Sequence, residues 1–253
     1  MRHALHCTSL ALALSMTLVA CQARQGEDAA AAPAATAAPK ALPTQTVASQ
    51  NGPVTVTTIA AGFEHPWSVA LLPDGGFLVT ERPGRLRHVS ADGAVSKPIT
   101  GVPTVWAEGQ GGLLDVVLAP DFATSRKIFL SYSEPGPDGS AGTAVSSATL
   151  GDGALSDVKL FYRQEPKLVG PNHFGSRIVF DGKGHVFITQ GERNDRPTSQ
   201  KLDMLQGKLV RLNVDGSVPS DNPFVGRKDA RPEIWSYGHR NMQSLALDPR
   251  TGT

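Results

Sequence analysis

Trp67-Ser68-Val69-Ala70-Leu71-Leu72-Pro73-Asp74-Gly75-Gly76-Phe77-Leu78-Val79-Thr80 reads as a short apolar strand, a Pro-Asp-Gly turn and a second apolar strand, the pattern of a β-hairpin. The same arrangement returns at Gly112 to Asp121 running into Ile128 to Tyr132, and at Ser176 to Gly182 followed by His185 to Thr189. A fourth begins at Gln243-Ser244-Leu245-Ala246-Leu247-Asp248-Pro249. The turn aspartates Asp74, Asp121, Asp181 and Asp248 are 47, 60 and 67 residues apart, the period of a four-stranded unit with variable loops rather than of one hairpin. Further strands fill the units: Arg85 to Val89 after the first hairpin, Ala144 to Leu150 and Val158 to Tyr162 after the second, Lys208 to Leu212 after the third. The expected fold is all-β, with about three complete β-propeller blades plus the start of a fourth. A Greek-key sandwich would instead repeat its turn signals every 8 to 12 residues or so, without the longer period. Because a propeller closes its last blade on its first, the chain is expected to be an incomplete propeller.

Composition agrees. Gly at 26, Pro at 19 and only 6% aromatic residues in 253 favour turns over long helices. Lys plus Arg at 24 against Asp plus Glu at 23 leaves a net charge of +1, which provides no electrostatic ground for a nucleic-acid partner. The two cysteines, Cys7 and Cys21, both precede the foldable region, so neither a disulfide framework nor a cysteine zinc site is expected in the body.

Arg2 and His3 precede an apolar run from Leu10 to Ala20, too short to span a bilayer but suited to a signal peptide at residues 1–20. Leu18-Val19-Ala20-Cys21 resembles a bacterial lipobox, which makes Cys21 the lipidated first residue of an exported protein held on a membrane by acyl chains alone. An ordinary secretory signal with a coincidental cysteine is the alternative. Gln22 after the cysteine matches lipoproteins sent to the outer membrane, here facing the periplasm. Residues 21–50, rich in Ala, Pro, Thr and Gln, read as a tether, leaving 51–253 for the propeller domain.

In such a fold, loops ahead of each innermost strand surround the central axis. Four qualify: Glu64-His65-Pro66-Trp67, Glu108-Gly109-Gln110-Gly111-Gly112, Gly170 to Gly175 with Asn172 and His173, and Tyr237-Gly238-His239-Arg240-Asn241. Polar groups repeated at corresponding positions would converge on one site.

These residues carry a resemblance. His65-Pro66-Trp67 with Leu72-Pro73-Asp74-Gly75, Thr80-Glu81-Arg82-Pro83-Gly84, Gly109-Gln110-Gly111-Gly112-Leu113-Leu114, Asn172-His173 with Gly175-Ser176-Arg177, and Gly238-His239-Arg240-Asn241 with Gln243 occur in order. Together they resemble the N-terminal part of the soluble pyrroloquinoline-quinone (PQQ)-dependent sugar dehydrogenases of the aldose, glucose or sorbosone type. The resemblance implies a six-bladed propeller that oxidises the C1 hydroxyl of an aldose sugar to a lactone, with hydride passing to PQQ and electrons to an unidentified acceptor. It makes His173 the general base, a role suited to imidazole near neutral pH. It places Arg240 where negative charge develops on the quinone, Asn241 and Gln110 on the cofactor, and Gln110 with Asn172 toward the substrate. The family pattern His-Arg-Asn-Pro-Gln-Gly is broken by Met242 and Ser244. The family's Ca²⁺ ligands and the cations for the cofactor carboxylates are expected beyond Thr253, so no metal ligand is assigned within this chain, and the 253 residues alone are expected to be inactive.

Other residues carry plainer readings. His65 and Trp67 are expected to pack between blades and Glu81-Arg82 to form a strand-end ion pair; Glu192-Arg193-Asn194-Asp195-Arg196, after the strand ending at Gln190, is read as an exposed charged loop, with lining of the rim as the alternative. His185 and His239 lack metal-site spacing. Two alternatives to the oxidoreductase remain open: a non-catalytic propeller binding module, and a calcium-dependent lactonase-type propeller using Glu64, Asn172 and Asn241.

Overall fold

The computed structural model describes residues 43–248 and 250–252, so the signal segment, Cys21 and most of the tether lie outside the described residues. β1 (Thr44–Ser49) and β2 (Gly52–Thr57) form a hairpin in which Ser49 pairs with Gly52 across the two-residue turn Gln50-Asn51, with Gly52 at φ +106°. The tether expected to run to residue 50 therefore gives way to strand at Thr44. Thr and Val are strand formers, and Gly52 supplies the positive φ at the point where the chain enters β2.

Three antiparallel sheets follow. The first is β3 (Pro66–Leu71), β4 (Phe77–Glu81) and β5 (Arg85–Val89). Its fourth place is held by residues 94–99, joined to β5 only through the bridges Val89–Val95 and Leu86–Ile99; Pro98, which has no N–H, sits within that stretch. The second sheet is β6 (Leu113–Leu118), β7 (Lys127–Pro135), β8 (Ser140–Leu150) and β9 (Leu155–Arg163), with the single helical turn α1 (Phe122–Ser125) between β6 and β7 and the short β10 (Leu168–Val169) beside β8. The third is β11 (Gly175–Phe180), β12 (His185–Gln190), β13 (Lys208–Asn213) and β14 (Ile234–Tyr237), in that order. The three hairpins are thus where the sequence puts them. The first turn closes as its residues demand: Gly75 adopts φ +85°, and the Asp74 carboxylate accepts the Gly76 N–H at 3.0 Å.

The fourth unit differs from expectation. Residues 243–247 are in no ladder among the described residues. Leu245 and Leu247 line a cleft together with Val179, Phe187, Leu209 and Trp235 of the third sheet, but a strand also needs an edge to pair with.

Packing explains the apolar runs. In β7, Ile128, Leu130 and Tyr132 face the first sheet with Leu78, Leu86, Leu113 and Val116, while Phe129 faces the third with Ile178, Ile188, Val210 and Ile234. A strand buried on both faces reads as continuous hydrophobicity instead of alternation.

The sheets are also pinned by a repeated hydrogen bond. In each, a buried hydroxyl on the second strand accepts N–H from a bulge in the first strand and donates to a carbonyl of the next unit. Thr80 Oγ1 accepts Ser68 N–H (3.0 Å) and donates to Leu114 O (2.6 Å). Ser131 Oγ accepts Asp115 N–H (2.8 Å) and donates to Ser176 O (3.0 Å). Thr189 Oγ1 accepts Ser176 N–H (3.0 Å) and donates to Met242 O (2.8 Å). Each bulge satisfies its displaced amide in this way and fixes where the loop ahead of it emerges.

Candidate active site

The β11–β12 register sets Gly175 opposite Gln190. Continued two residues outward, an antiparallel pairing sets His173 opposite Glu192. The side chains meet: His173 Nδ1 lies 2.6 Å from Glu192 Oε1, and the Arg193 N–H donates to His173 O at 3.2 Å. Such close approach requires Gly191, where a Cβ would stand 2.0 Å from the His173 carbonyl oxygen. His173 itself sits at φ +58°, and its N–H donates to Gln110 Oε1 at 2.9 Å.

Glu192 is 1% exposed and His173 7%. A carboxylate only accepts, so this contact selects the neutral tautomer with its proton on Nδ1, in which Nε2 keeps its lone pair. Arg240 Nε stands 3.9 Å from the same Glu192 Oε1, its side chain 63% exposed, and Arg240 O accepts the Glu192 N–H at 2.8 Å. Glu192 Oε2 has no hydrogen-bond partner among the described residues. Asn241 Oδ1 accepts Gly175 N–H (3.0 Å), and its Nδ2 approaches Gln110 Oε1 (3.4 Å). Gln110 N–H donates to Pro171 O (2.8 Å), joining the second rim loop to the third.

Beneath this group lies Arg193, 2% exposed, with its guanidinium 3.5 Å from the centre of the Phe174 ring. It donates to the carbonyls of Ala141, Leu168, Gly170 and Asn172 and so holds the loop carrying His173. Burial pulls its pKa down to about 10, which leaves it charged at neutral pH. On the fourth-loop side, fully buried Lys208 donates to Thr198 O, Ser199 O and Gln206 O, and burial pulls its pKa down to about 8. Burial, with Lys208 nearby, also lowers His239.

Gln110, His173, Arg240 and Asn241 are therefore brought together from three rim loops. Asn172 is half-buried beside them, its carbonyl taken by Arg193 and its side chain without a hydrogen bond among the described residues. The first loop does not join them: Glu64 pairs with Arg85 at 2.7 Å, and Trp67 stacks under Arg177 at 4.4 Å. Two readings are corrected. Glu81 pairs with Arg85 (2.9 Å) and Arg87 (3.4 Å) rather than with Arg82, because successive strand residues point to opposite faces. Glu192 and Arg193 are buried parts of the site; only Asn194 to Arg196 are exposed. Sequence reasoning passed over Glu192, although the hairpin register alone places it across from His173.

Arg240 and the Gln110 and Asn172 amides supply donors uncommitted among the described residues, next to a buried carboxylate oxygen with no partner. This donor set fits a flat molecule rich in carbonyl and carboxylate oxygens such as PQQ. Among the described residues, no group of three His, Cys, Asp or Glu could hold a metal ion.

Residues 63–253 match the family model described as glucose/sorbosone dehydrogenase. The chain is 57% identical to an aldose sugar dehydrogenase of Escherichia coli (strain K12) over 199 residues, covering 78% of this chain and 54% of that protein. Among solved structures, the apo form of the soluble aldose sugar dehydrogenase of Escherichia coli superposes with a TM-score of 0.73 at 57% identity, covering 75% of this chain and 56% of that one. The PQQ-bound aldose sugar dehydrogenase of Streptomyces coelicolor superposes with a TM-score of 0.69 at 30% identity, covering 84% and 60%. The chain spans about half the length of the curated relatives it matches.

Proposed function

Because the chain belongs to the glucose/sorbosone dehydrogenase family, we propose that its rim site serves in oxidising the C1 hydroxyl of an aldose sugar to a lactone. The observation that carries this reading is the shared carboxylate oxygen: Glu192 Oε1 lies 2.6 Å from His173 Nδ1 and 3.9 Å from Arg240 Nε. His173 Nε2 takes the sugar hydroxyl proton. Glu192 accepts from Nδ1–H, holding the imidazole in that tautomer and stabilising the imidazolium that forms. Arg240 offers a permanent charge to electron-rich oxygens, with Gln110 and Asn241 beside it and Asn172 toward the sugar. PQQ, when bound, supplies the two-electron acceptor for the C1 hydride. Ca²⁺ is expected to accompany PQQ on residues not assigned within this chain, where the described residues hold no group of three His, Cys, Asp or Glu that could bind a metal ion.

The same proposal includes export, a lipid on Cys21, an outer-membrane location facing the periplasm and transfer of electrons to a separate acceptor. Palmitate labelling lost in Cys21→Ala supports the anchor, and labelling that persists there refutes it. The 253 residues alone are expected to be inactive, so activity, for these variants and those below, is read as sugar-dependent dye reduction with PQQ and Ca²⁺ supplied, in a chain that carries the rest of the relatives' length; turnover by the 253 residues comparable with that longer chain refutes the expected inactivity. His173→Gln is expected to abolish turnover while keeping quinone binding. A variant that turns over normally refutes the base, and a full-length wild type that binds quinone or sugar without turnover favours the binding-module reading.

A further inference from the structure

We propose that Thr189 is a positioning residue that sets the imidazole of His173 against the guanidinium of Arg240. Its catalytic consequence rests on the oxidoreductase reading above, but its geometry does not. Thr189 is fully buried, and its hydroxyl has no spare capacity: Oγ1 accepts Ser176 N–H at 3.0 Å and Arg177 N–H at 2.7 Å and donates to Met242 O at 2.8 Å. Ser176 lies three residues after His173, and Met242 two after Arg240. A single oxygen atom thus joins the exits of the two loops that carry the proposed base and cation.

Thr80 and Ser131 make the corresponding pins elsewhere, but each accepts only one amide there, and neither binds a carbonyl of the fourth loop. At the Thr189 pin, Ser176 takes φ +100° and the β11–β12 register shifts between Gly175 and Ile178. Two successive amides therefore turn toward the same hydroxyl instead of toward a ladder partner. Further bonds cross the same gap, from Gly175 N–H to Asn241 Oδ1, from Arg177 Nε–H to Gln243 O and from Glu192 N–H to Arg240 O, but none of these acceptors serves both loop exits as the Thr189 oxygen does. Valine at position 189 keeps the shape and removes the oxygen. Two buried amides and a carbonyl lose their partner, and the loops can settle at a different spacing.

Displacements of about 1 Å at a reacting centre can lower rates by about 10²-fold. Thr189→Val is therefore expected to lower kcat by at least ~10-fold with KM within ~3-fold, while Thr189→Ser, which keeps the oxygen, is expected to restore kcat. Thr80→Val removes an equally buried hydroxyl from a different pair of sheets. It is expected to melt earlier by a similar margin and to keep kcat. A second readout needs no cofactor: the ¹⁵N resonances of the His173 ring should move in Thr189→Val and stay put in Thr189→Ser and Thr80→Val. The proposal is overturned if Thr189→Val and Thr80→Val behave alike in kcat and ring resonances, or if Thr189→Ser fails as Thr189→Val does. Should the full-length wild type oxidise no sugar, the functional reading falls, and the ring resonances alone still decide the pin.

Discussion

Glu192→Gln removes one charge and changes almost no volume, at the point where two rim residues, His173 and Arg240, share one carboxylate. The 2.6 Å contact to His173 Nδ1 is a charge-assisted hydrogen bond, in a place where Glu192 is 1% exposed. Hydrogen bonds to charged groups contribute about 1.5–3 kcal/mol, which corresponds to roughly 10- to 150-fold in rate if the bond strengthens as the imidazolium forms. The amide brings a second effect. Its NH₂ can face Nδ1, which forces the ring proton onto Nε2, where the base must be free. The two effects together predict a fall in kcat of about 10²- to 10⁴-fold with little change in KM. Quinone affinity should not weaken, since Arg240 loses a competing partner 3.9 Å away. The assay is dye-linked sugar oxidation at saturating quinone, with quinone affinity from a spectral titration. A kcat within ~3-fold of wild type, or a loss traced wholly to weaker quinone binding, would refute the assignment of Glu192 to the imidazole.

Two further predictions concern groups that hold the rim in place. Asp115, 2% exposed, accepts Ser68 Oγ–H, Arg177 Nη1–H and Ile178 N–H, tying the innermost strands of the three sheets together; Asp115→Ala should cost ~2–4 kcal/mol in urea unfolding, and a loss under ~1 would show the tie to be idle. Burial depresses Lys208 to about 8 while the unfolded chain keeps that proton to above pH 10, so between those values the unfolded state binds more protons and stability rises with pH. Melts at pH 7.5 and 10 should show wild type gaining on Lys208→Met by on the order of 1–3 kcal/mol, and a constant difference would contradict the buried charge.

The strand-turn-strand units were legible because each turn carries its own chemistry, as Asp74 and Gly75 illustrate. β7 was equally plain, since burial on both faces leaves an unbroken apolar run. Residues 44–57 were harder: with β1 wholly exposed, no hydrophobic face separated strand from tether. The fourth unit's first strand could be read as strand-like but not as paired, because pairing depends on a partner edge. At the site, Gln110, His173, Arg240 and Asn241 were found from their loops. Glu192 was not, because Arg193-Asn194-Asp195-Arg196 gave its neighbourhood the look of a solvated run. Arg193 shows why that look misleads: a guanidinium can be buried when carbonyls and an aromatic face surround it, and those partners are distant in sequence.

The central claim is that His173 and Arg240, carried by loops of successive units, address one bound ring. The most direct measurement is a crystal structure of the protein soaked with PQQ. The account predicts one quinone with His173 facing its reactive carbon across the space of a sugar and the Arg240 guanidinium within ~3.5 Å of a quinone oxygen. A quinone bound away from both side chains, or touching Arg240 with His173 turned from it, would contradict the account.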